Sequence, residues 1–153
     1  MRVSDRFTED LLRAFWWAQV EARGQRHSYC GVEDLLCGIA LSRERITSEI
    51  LSDSGMTVRG IQSHSSMLGN GACGATEDDI PLTPNAKRAF DLALEVAERF
   101  ASQQIDCGHV LYALVSEPFV GDLGSILQAL KVNPEQLRHD ISLRLRDIGG
   151  ATS

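Results

Sequence analysis

Thr8-Glu-Asp-Leu-Leu-Arg-Ala-Phe-Trp-Trp-Ala18 returns, with changes, as Thr83-Pro-Asn-Ala-Lys-Arg-Ala-Phe-Asp-Leu-Ala93. The two stretches are 75 residues apart (83 − 8), and five of their eleven positions are identical. At the same offset, the identities continue further along the chain with Ala22/Ala97 and Leu36/Leu111. A repeat of this length, which extends over nearly the whole chain, indicates two copies of one helical unit packed together.

Helical spacing of apolar residues and capping residues predict four helices in each copy. In the first copy they run from Thr8 to about Arg23, over Val32–Leu41, from Glu44 to about Asp53 and from Thr57 to about Leu68. In the second copy they run from Thr83 to about Phe100, Cys107 to about Ser116, Asp122 to about Leu130 and Asn133 to about Asp147. No segment is typical of a strand, so the predicted fold is all-α, with about eight helices in two pseudo-symmetric halves.

The domain organisation follows from the same pattern. The first repeat covers residues 6–68 and the second covers residues 82–147. Residues 69–81, rich in glycine and acidic residues, are predicted to be a linker. Residues 148–153 form a tail that we expect to fray.

Composition excludes several classes of function. The net charge of -6 argues against nucleic-acid binding, which usually needs a basic surface. No apolar run reaches the roughly 20 residues of a membrane span, and residues 1–6 lack the apolar core of a signal peptide. We therefore expect a cytoplasmic protein with neither nucleic acid nor membrane as a partner. The four cysteines are irregularly spaced, which favours structural thiols over a disulfide framework.

Several short motifs in the sequence do not predict a functional site. Gly69-Asn-Gly-Ala-Cys-Gly74 has the spacing of a dinucleotide fingerprint, but a predicted helix precedes it and acidic residues follow it. His27 to Cys30 and Cys107-Gly-His109 lack the paired spacing of a zinc site, so no metal site is predicted. No nucleophile, base and orienting group can be assembled. The sequence therefore predicts no catalytic residue, no cofactor and no enzyme activity.

The aromatic triplet Phe15-Trp16-Trp17 cannot share one helix face, because adjacent residues point about 100° apart. The second copy serves as an internal control. Phe15 and Trp17 match apolar residues, which predicts that both are buried, whereas Trp16 matches Asp91. Trp16 is therefore either buried against the other repeat or the linker, or exposed as an anchor for a partner protein.

Three segments carry a family resemblance. They are Phe7-Thr8-Glu9, Gly31-Val-Glu-Asp-Leu-Leu-Cys-Gly38 and Leu82-Thr-Pro-Asn-Ala-Lys87. Together they resemble the Clp N-terminal domain, the double helical repeat at the front of ClpC- and ClpA-type ATPases. The resemblance covers roughly Arg6 to Asp147. It implies a module that docks substrates or adaptors, either free-standing or as a fragment of a full ATPase.

ClpC-type domains recognise arginine-phosphorylated proteins at one site per repeat. In that family, a carboxylate of the G-T-E-H segment takes the guanidinium, and a nearby helix start with its threonine takes the phosphate. By resemblance, Glu33 supplies the carboxylate of the first repeat and Thr8 the hydroxyl, whereas Val32 replaces the family threonine.

The second repeat looks degenerate by the same comparison. Thr83 is retained, but Gly108 stands where the glutamate should be. Asp106 is two residues away and substitutes only if the backbone shifts. The resemblance thus implies one phosphoarginine-type site at Glu33, or none; for Glu33 itself, an ordinary first-turn glutamate favoured by the helix dipole is the alternative.

The leading functional prediction is a non-catalytic protein-binding module of the Clp protease system. It would act as an adaptor, a regulator or a decoy for Clp-targeting ligands, with Clp ATPase or protease subunits, adaptors or substrates as partners. The alternative is a helical regulatory module whose partner lies outside the Clp system.

Overall fold

A computed structural model describes residues 6–27, 29–65, 81–116 and 119–152. The helices of these residues are α1 (Glu9–Gly24), α2 (Val32–Ser42), α3 (Arg45–Asp53), α4 (Val58–Ser65), α5 (Pro84–Arg99), α6 (Cys107–Leu114), α7 (Phe119–Ala129) and α8 (Pro134–Thr152). The prediction of an all-α fold with about eight helices is confirmed. In the described ranges, β pairing is limited to two isolated parallel bridges, Phe7–Ile105 and Cys30–Leu82.

The two halves repeat each other in backbone detail. Thr8 and Thr83 both cap a helix from an extended conformation, with φ and ψ of −68° and 162° in one and −65° and 159° in the other. The hydroxyl oxygen of each accepts the backbone N–H three residues later, at 3.1 and 3.0 Å. After α1 and α5, Arg26 and Ala101 both adopt φ of 58°. These two residues are 75 positions apart, so the sequence offset is also a structural one.

The core is built around the second helix of each half. α1 packs along α2, and α5 packs along α6, while α2 also contacts α3, α4, α5, α6 and α7. The largest fully buried side chains come from both halves; they are Leu11, Leu36, Ile39, Ile61, Ile105, Leu111, Leu114, Leu123, Ile126, Leu127, Leu137 and Ile141. The halves therefore share one core, in which α2 is the central helix.

Two helix ends differ from the prediction. α7 begins at Phe119 instead of near Asp122, so Gly121 lies inside the helix. One glycine lowers helix propensity by about 1 kcal/mol, which the burial of Leu123 and the residues beyond it outweighs. α8 continues to Thr152, past its expected end near Asp147, because no proline interrupts it after its first residue.

Some predicted features lie outside the described residues. These are residues 66–68 at the expected end of α4, all of the linker 69–81 except Pro81, and the motif Gly69–Gly74 within it. Cys73 lies there as well. The other three cysteines, Cys30, Cys37 and Cys107, are buried and free, as predicted for structural thiols. No helix in the described part of the chain is both long and apolar enough to cross a bilayer.

Candidate functional site

The two halves join at two backbone seams. In the first, the Thr8 N–H donates to the Ile105 carbonyl at 3.0 Å, and the Ile105 N–H donates to the Arg6 carbonyl at 2.8 Å. This seam sets the start of α1 beside the start of α6. We call it the Asp106 seam and define it as residues 6–8 with residues 105–106.

The second seam has the same pattern with the halves exchanged. The Thr83 N–H donates to the Cys30 carbonyl at 3.0 Å, and the Cys30 N–H donates to the Pro81 carbonyl at 2.8 Å. It sets the start of α5 beside the start of α2. We call it the Glu33 seam and define it as residues 30–34 with residues 81–83. In both seams, the first helix of one half meets the second helix of the other half.

The Asp106 seam contains its own anion. The Thr8 hydroxyl donates to Asp106 Oδ1 at 2.8 Å, and the Cys107 N–H donates to the same oxygen at 2.7 Å. Burial raises the pKa of Asp106, and these two hydrogen bonds counteract that rise. The side chain of Asp106 therefore occupies the position at which an external anion would meet the Thr8 hydroxyl.

The Glu33 seam is arranged differently, because Gly31 stands at the position equivalent to Asp106. The Glu33 side chain folds back over Gly31, so that a Cβ atom added at Gly31 would lie 2.7 Å from both carboxylate oxygens. Among the described residues, no carboxylate accepts the Thr83 hydroxyl as Asp106 accepts that of Thr8. Glu33 is only half-buried. This seam therefore holds the Glu33 carboxylate near the start of α5.

A buried histidine and a buried carboxylate lie beneath the Glu33 seam. His27 Nδ1 is 2.9 Å from Asp34 Oδ2, and both side chains are almost completely buried. The Gly31 N–H also donates to Asp34 Oδ2, at 3.1 Å. Burial raises the pKa of Asp34, and the hydrogen bonds from His27 and Gly31 lower it. Asp34 thus links His27 to the backbone of Gly31 at the start of α2.

His109 takes the position of Asp34 in the other half. Its Nδ1 accepts the Asp106 N–H at 2.9 Å, as the Asp34 carboxylate accepts that of Gly31. Burial lowers the pKa of His109 to about 4, which keeps the imidazole neutral as this acceptor requires. The two halves thus make the same capping interaction, with a carboxylate as the acceptor in one and an imidazole nitrogen in the other.

The structure brings the predicted site residues together in a different combination from the one that the resemblance implies. Thr8 lies with Asp106 in one seam, whereas Thr83 lies beside the segment that carries Glu33 in the other. Val32 and Gly108 are both buried, in line with a packing role at the starts of α2 and α6. Thr83 of the second repeat, and not Thr8, therefore lies beside the segment that carries Glu33.

Sequence reasoning missed the His27–Asp34 pair. The spacing of cysteines and histidines does not reveal this pair, because the partner of His27 is a carboxylate seven residues later. The sequence offers one signal for the pair. Asp34 aligns with His109 of the second copy, and a carboxylate in place of an imidazole needs a different hydrogen-bond partner. A ring nitrogen of His27 and single oxygens of Glu33 and Asp34 all lie within 4.8 Å of one another.

Trp16 is exposed on the outer face of α1, with 58% of its surface accessible. Leu12, one turn earlier on the same face, is also exposed. The Trp16 ring meets that of Trp17 edge to face at 4.9 Å. Phe15 and Trp17 are half-buried, so the prediction that both are buried was wrong; Phe15 packs against the core, and its ring meets that of Phe90 edge to face.

Comparison with known proteins connects this arrangement to a family. The model of the Clp repeat (R) N-terminal domain family matches residues 6–130. The chain is 30% identical over 149 residues to the chloroplastic chaperone protein ClpC1 of Oryza sativa subsp. japonica, covering 97% of this chain and 16% of that protein. It is also 30% identical over 138 residues to the chloroplastic ClpC1 of Arabidopsis thaliana, covering 90% of this chain and 15% of that protein. The chain thus spans about a sixth of the length of these relatives.

Solved structures show the same fold. The N-terminal domain of ClpD from Arabidopsis thaliana superposes with a TM-score of 0.77 and 22% identity, over 95% of this chain and 97% of that one. A ClpV N-domain, solved in complex with a VipB peptide, superposes with a TM-score of 0.66 and 13% identity, over 95% of this chain and 90% of that one. The family match covers well over half of the residues, and it places the chain in the Clp repeat N-terminal domain family.

Proposed function

We propose that the chain is a non-catalytic docking module of the Clp protease system. It binds substrate or adaptor proteins, or regulates a Clp unfoldase, with Clp ATPase or protease subunits among its partners. Membership of the Clp N-terminal domain family supports this proposal. The ClpV N-domain, which shares the fold, is known in complex with a peptide.

The ligand site that we propose is the Glu33 seam, with phosphoarginine as its ligand class. The Glu33 carboxylate would pair with the guanidinium, for which a bidentate contact is the strong geometry. The Thr83 hydroxyl and the start of α5 would receive the phosphate, because helix N-termini favour anions. This assignment keeps Glu33 from the sequence prediction but replaces Thr8 with Thr83.

One observation carries the one-site version of the proposal. The Thr8 hydroxyl donates to Asp106, so the Asp106 seam already holds a carboxylate where a phosphate would bind. A second anion there would meet the half-buried Asp106 carboxylate at close range, which is unfavourable. The Glu33 seam has no such internal anion on Thr83 among the described residues.

Phosphoarginine titration tests this proposal. We expect one calorimetric site in the wild type and none in Glu33→Ala, while Asp106→Asn retains the site. Asp106→Asn is the matched control because it changes the carboxylate of the other seam. Two equivalent sites in the wild type, or equal heats for wild type and Glu33→Ala, would overturn the one-site proposal.

The exposed face of α1 that carries Leu12 and Trp16 is our proposed contact surface for a partner protein. Exposed tryptophans dominate binding energy at protein interfaces when a partner buries them. The second repeat provides the natural replacement, because Asp91 is the equivalent of Trp16 and is exposed.

A pull-down from cell extract tests this surface and the choice of partner. We expect the wild type to retain Clp ATPase or protease subunits and Trp16→Asp to retain much less. Leu143→Asp, at an exposed apolar residue of α8, is the control and should behave as the wild type. Recovery of an unrelated protein alone would instead favour a helical module with a partner outside the Clp system.

A further inference from the structure

The outer face of α1 is apolar at its centre. Trp16 and Leu12, one turn earlier, are exposed there, and Val20, one turn later, is half-buried. All three side chains lie within about 40° of one direction around the helix axis. Ala14 and Ala18, which are buried, lie on the opposite side of the helix. The three apolar side chains therefore point away from the core.

The two ends of this face carry opposite charges. Glu9 is exposed seven residues before Trp16, and Arg23 is half-buried seven residues after it. Seven residues are almost two full turns, so both side chains project within about 20° of Trp16. Arg13, which is also exposed, is paired with Asp10 at 3.0 Å and adds no net charge. We define the α1 stripe as Glu9, Leu12, Trp16, Val20 and Arg23.

The α1 stripe is complementary to itself. Leu12 and Val20 lie four residues to either side of Trp16, and Glu9 and Arg23 lie seven residues to either side. When a second copy is turned by 180° about an axis through Trp16, Leu12 faces Val20 of the second copy, and Glu9 faces its Arg23. Each contact then occurs twice with the partners exchanged, as a twofold interface requires. Antiparallel helices that cross at about 20° keep residues about 10 Å from the crossing point opposite each other.

The second repeat shows that the fold does not require this pattern. In α5, the four positions equivalent to Leu12, Trp16, Val20 and Arg23 are all charged and exposed; they are Lys87, Asp91, Glu95 and Glu98. In the same arrangement Asp91 would face its own copy, and like charges directly opposite each other repel. The apolar centre with opposite charges at its ends is thus a property of α1 and not of the repeat.

We propose that two copies of this chain pair through the α1 stripe, as an antiparallel twofold dimer with Trp16 at its centre. The apolar side chains supply the affinity, because buried tryptophans dominate the binding energy of protein interfaces. The two Glu9–Arg23 pairs set the antiparallel direction. One helix from each copy makes a small interface, so the dimer forms at high protein concentration and exchanges rapidly. The dimer covers the face that we propose for a Clp partner, so self-association and docking at this face exclude each other.

Sedimentation equilibrium of the purified chain, at concentrations up to the millimolar range, tests the dimer. We expect a reversible monomer–dimer equilibrium, which Trp16→Asp weakens at least about tenfold. Glu9→Arg and Arg23→Glu should each weaken it, because each places like charges opposite each other. The double variant Glu9→Arg/Arg23→Glu exchanges the two charges and should associate as the wild type does.

Leu143→Asp is the matched control, since it changes an exposed apolar residue of α8 outside the α1 stripe, and it should dimerise as the wild type does. Circular dichroism shows whether each variant is folded; if Arg23→Glu unfolds, Trp16→Asp and Glu9→Arg decide the outcome. A chain that stays monomeric at millimolar concentration, a dimer that Trp16→Asp leaves intact, or a double variant as weak as the single ones would overturn the proposal. The experiment contains no Clp subunit, so its result is independent of the docking function. A monomeric chain that loses a Clp subunit on Trp16→Asp in the pull-down would assign this face to that subunit instead.

Discussion

At the residue scale, each seam contains a carboxylate, but the two come from different positions of the repeat, and among the described residues only that of Asp106 accepts a threonine hydroxyl. In one seam Asp106 supplies it directly. In the other, Gly31 has no side chain and the longer Glu33, two residues later, folds back over it. Aligning the two copies pairs Glu33 with Gly108 and thus suggests that the second copy has lost its carboxylate. The structure shows that both seams keep one, and that they differ in whether a threonine hydroxyl already binds it.

His109 makes the stability of the fold depend on pH. Its pKa is about 4 in the folded chain and about 6.5 when unfolded, because burial disfavours the charged ring. The unfolded chain therefore takes up the proton first as the pH falls. His109 contributes stability above pH 6.5 and loses it as the pH falls towards 4, by up to about 3 kcal/mol.

His109→Asn isolates this contribution, because an asparagine oxygen can accept the Asp106 N–H without titrating. We expect urea midpoints of the wild type to fall more steeply than those of His109→Asn between pH 6.5 and 4.5. Asp34 and Asp106, whose pKa values are raised by burial, act in the opposite direction in both proteins and cancel in the comparison. Parallel pH profiles would show that His109 is not the titrating group.

At the scale of helices, small residues allow the first and second helix of each half to pack closely. In α1, Ala14, Ala18 and Ala22 are buried, and Gly38 of α2 lies against Ala14 and Ala18. The second half has the corresponding buried residues in Ala89, Ala93, Ala97 and Ala113. The spacing of these alanines thus determines where the first and second helix of each half touch. The core forms around this contact.

Gly38→Ala should destabilise the protein. The added Cβ would lie 2.3 Å from the Ala14 carbonyl oxygen and 2.8 Å from the Ala18 nitrogen, so the backbone of α1 would have to move. Overpacking of this kind costs about 1–3 kcal/mol and outweighs the higher helix propensity of alanine. Urea unfolding measures the loss.

Gly124→Ala is the matched control, since a Cβ there has no atom within 4 Å among the described residues. We expect Gly124→Ala to be neutral or to stabilise by up to about 1 kcal/mol. Equal stability of Gly38→Ala and Gly124→Ala would contradict the packing that we describe for α1 and α2.

Helix starts are easiest to predict where a threonine caps them. Thr8 and Thr83 mark theirs because a capping hydroxyl is a local interaction, and the structure confirms both. The predicted start of α7, near Asp122, is three residues late, because the helix begins at Phe119 and includes Gly121. A glycine only weakens a helix locally, and tertiary burial decides whether the helix continues.

At the scale of the whole molecule, the halves meet across aromatic rings as well as at the seams. Phe15 and Phe90, identical residues of the repeat, contact each other edge to face with ring centroids 6.1 Å apart. Phe7 stacks on the same Phe90 ring at 5.5 Å. Arg144 of α8 pairs with Glu49 of α3 and joins the halves at a further point. These contacts bind the two repeats into one unit.

The exchange of partners between the halves is the part of the site that the sequence could not reveal. The offset of 75 shows that Thr8 and Thr83 are equivalent, but not whether each faces its own copy or the other. That choice depends on how the two halves rotate relative to each other, which is a property of the packed molecule. The resemblance placed Thr8 with Glu33, whereas the structure places Thr83 there.

Phosphoarginine titration followed by ¹H–¹⁵N NMR tests the central claim, that binding is confined to the Glu33 seam. We predict that the amide signals of Gly31, Glu33 and Thr83 shift in a saturable manner, whereas those of Thr8 and Cys107 stay in place. Glu33→Ala should abolish the shifts, and Asp106→Asn should leave them unchanged. Saturable shifts at Thr8 and Cys107, or shifts that persist in Glu33→Ala, would contradict the account.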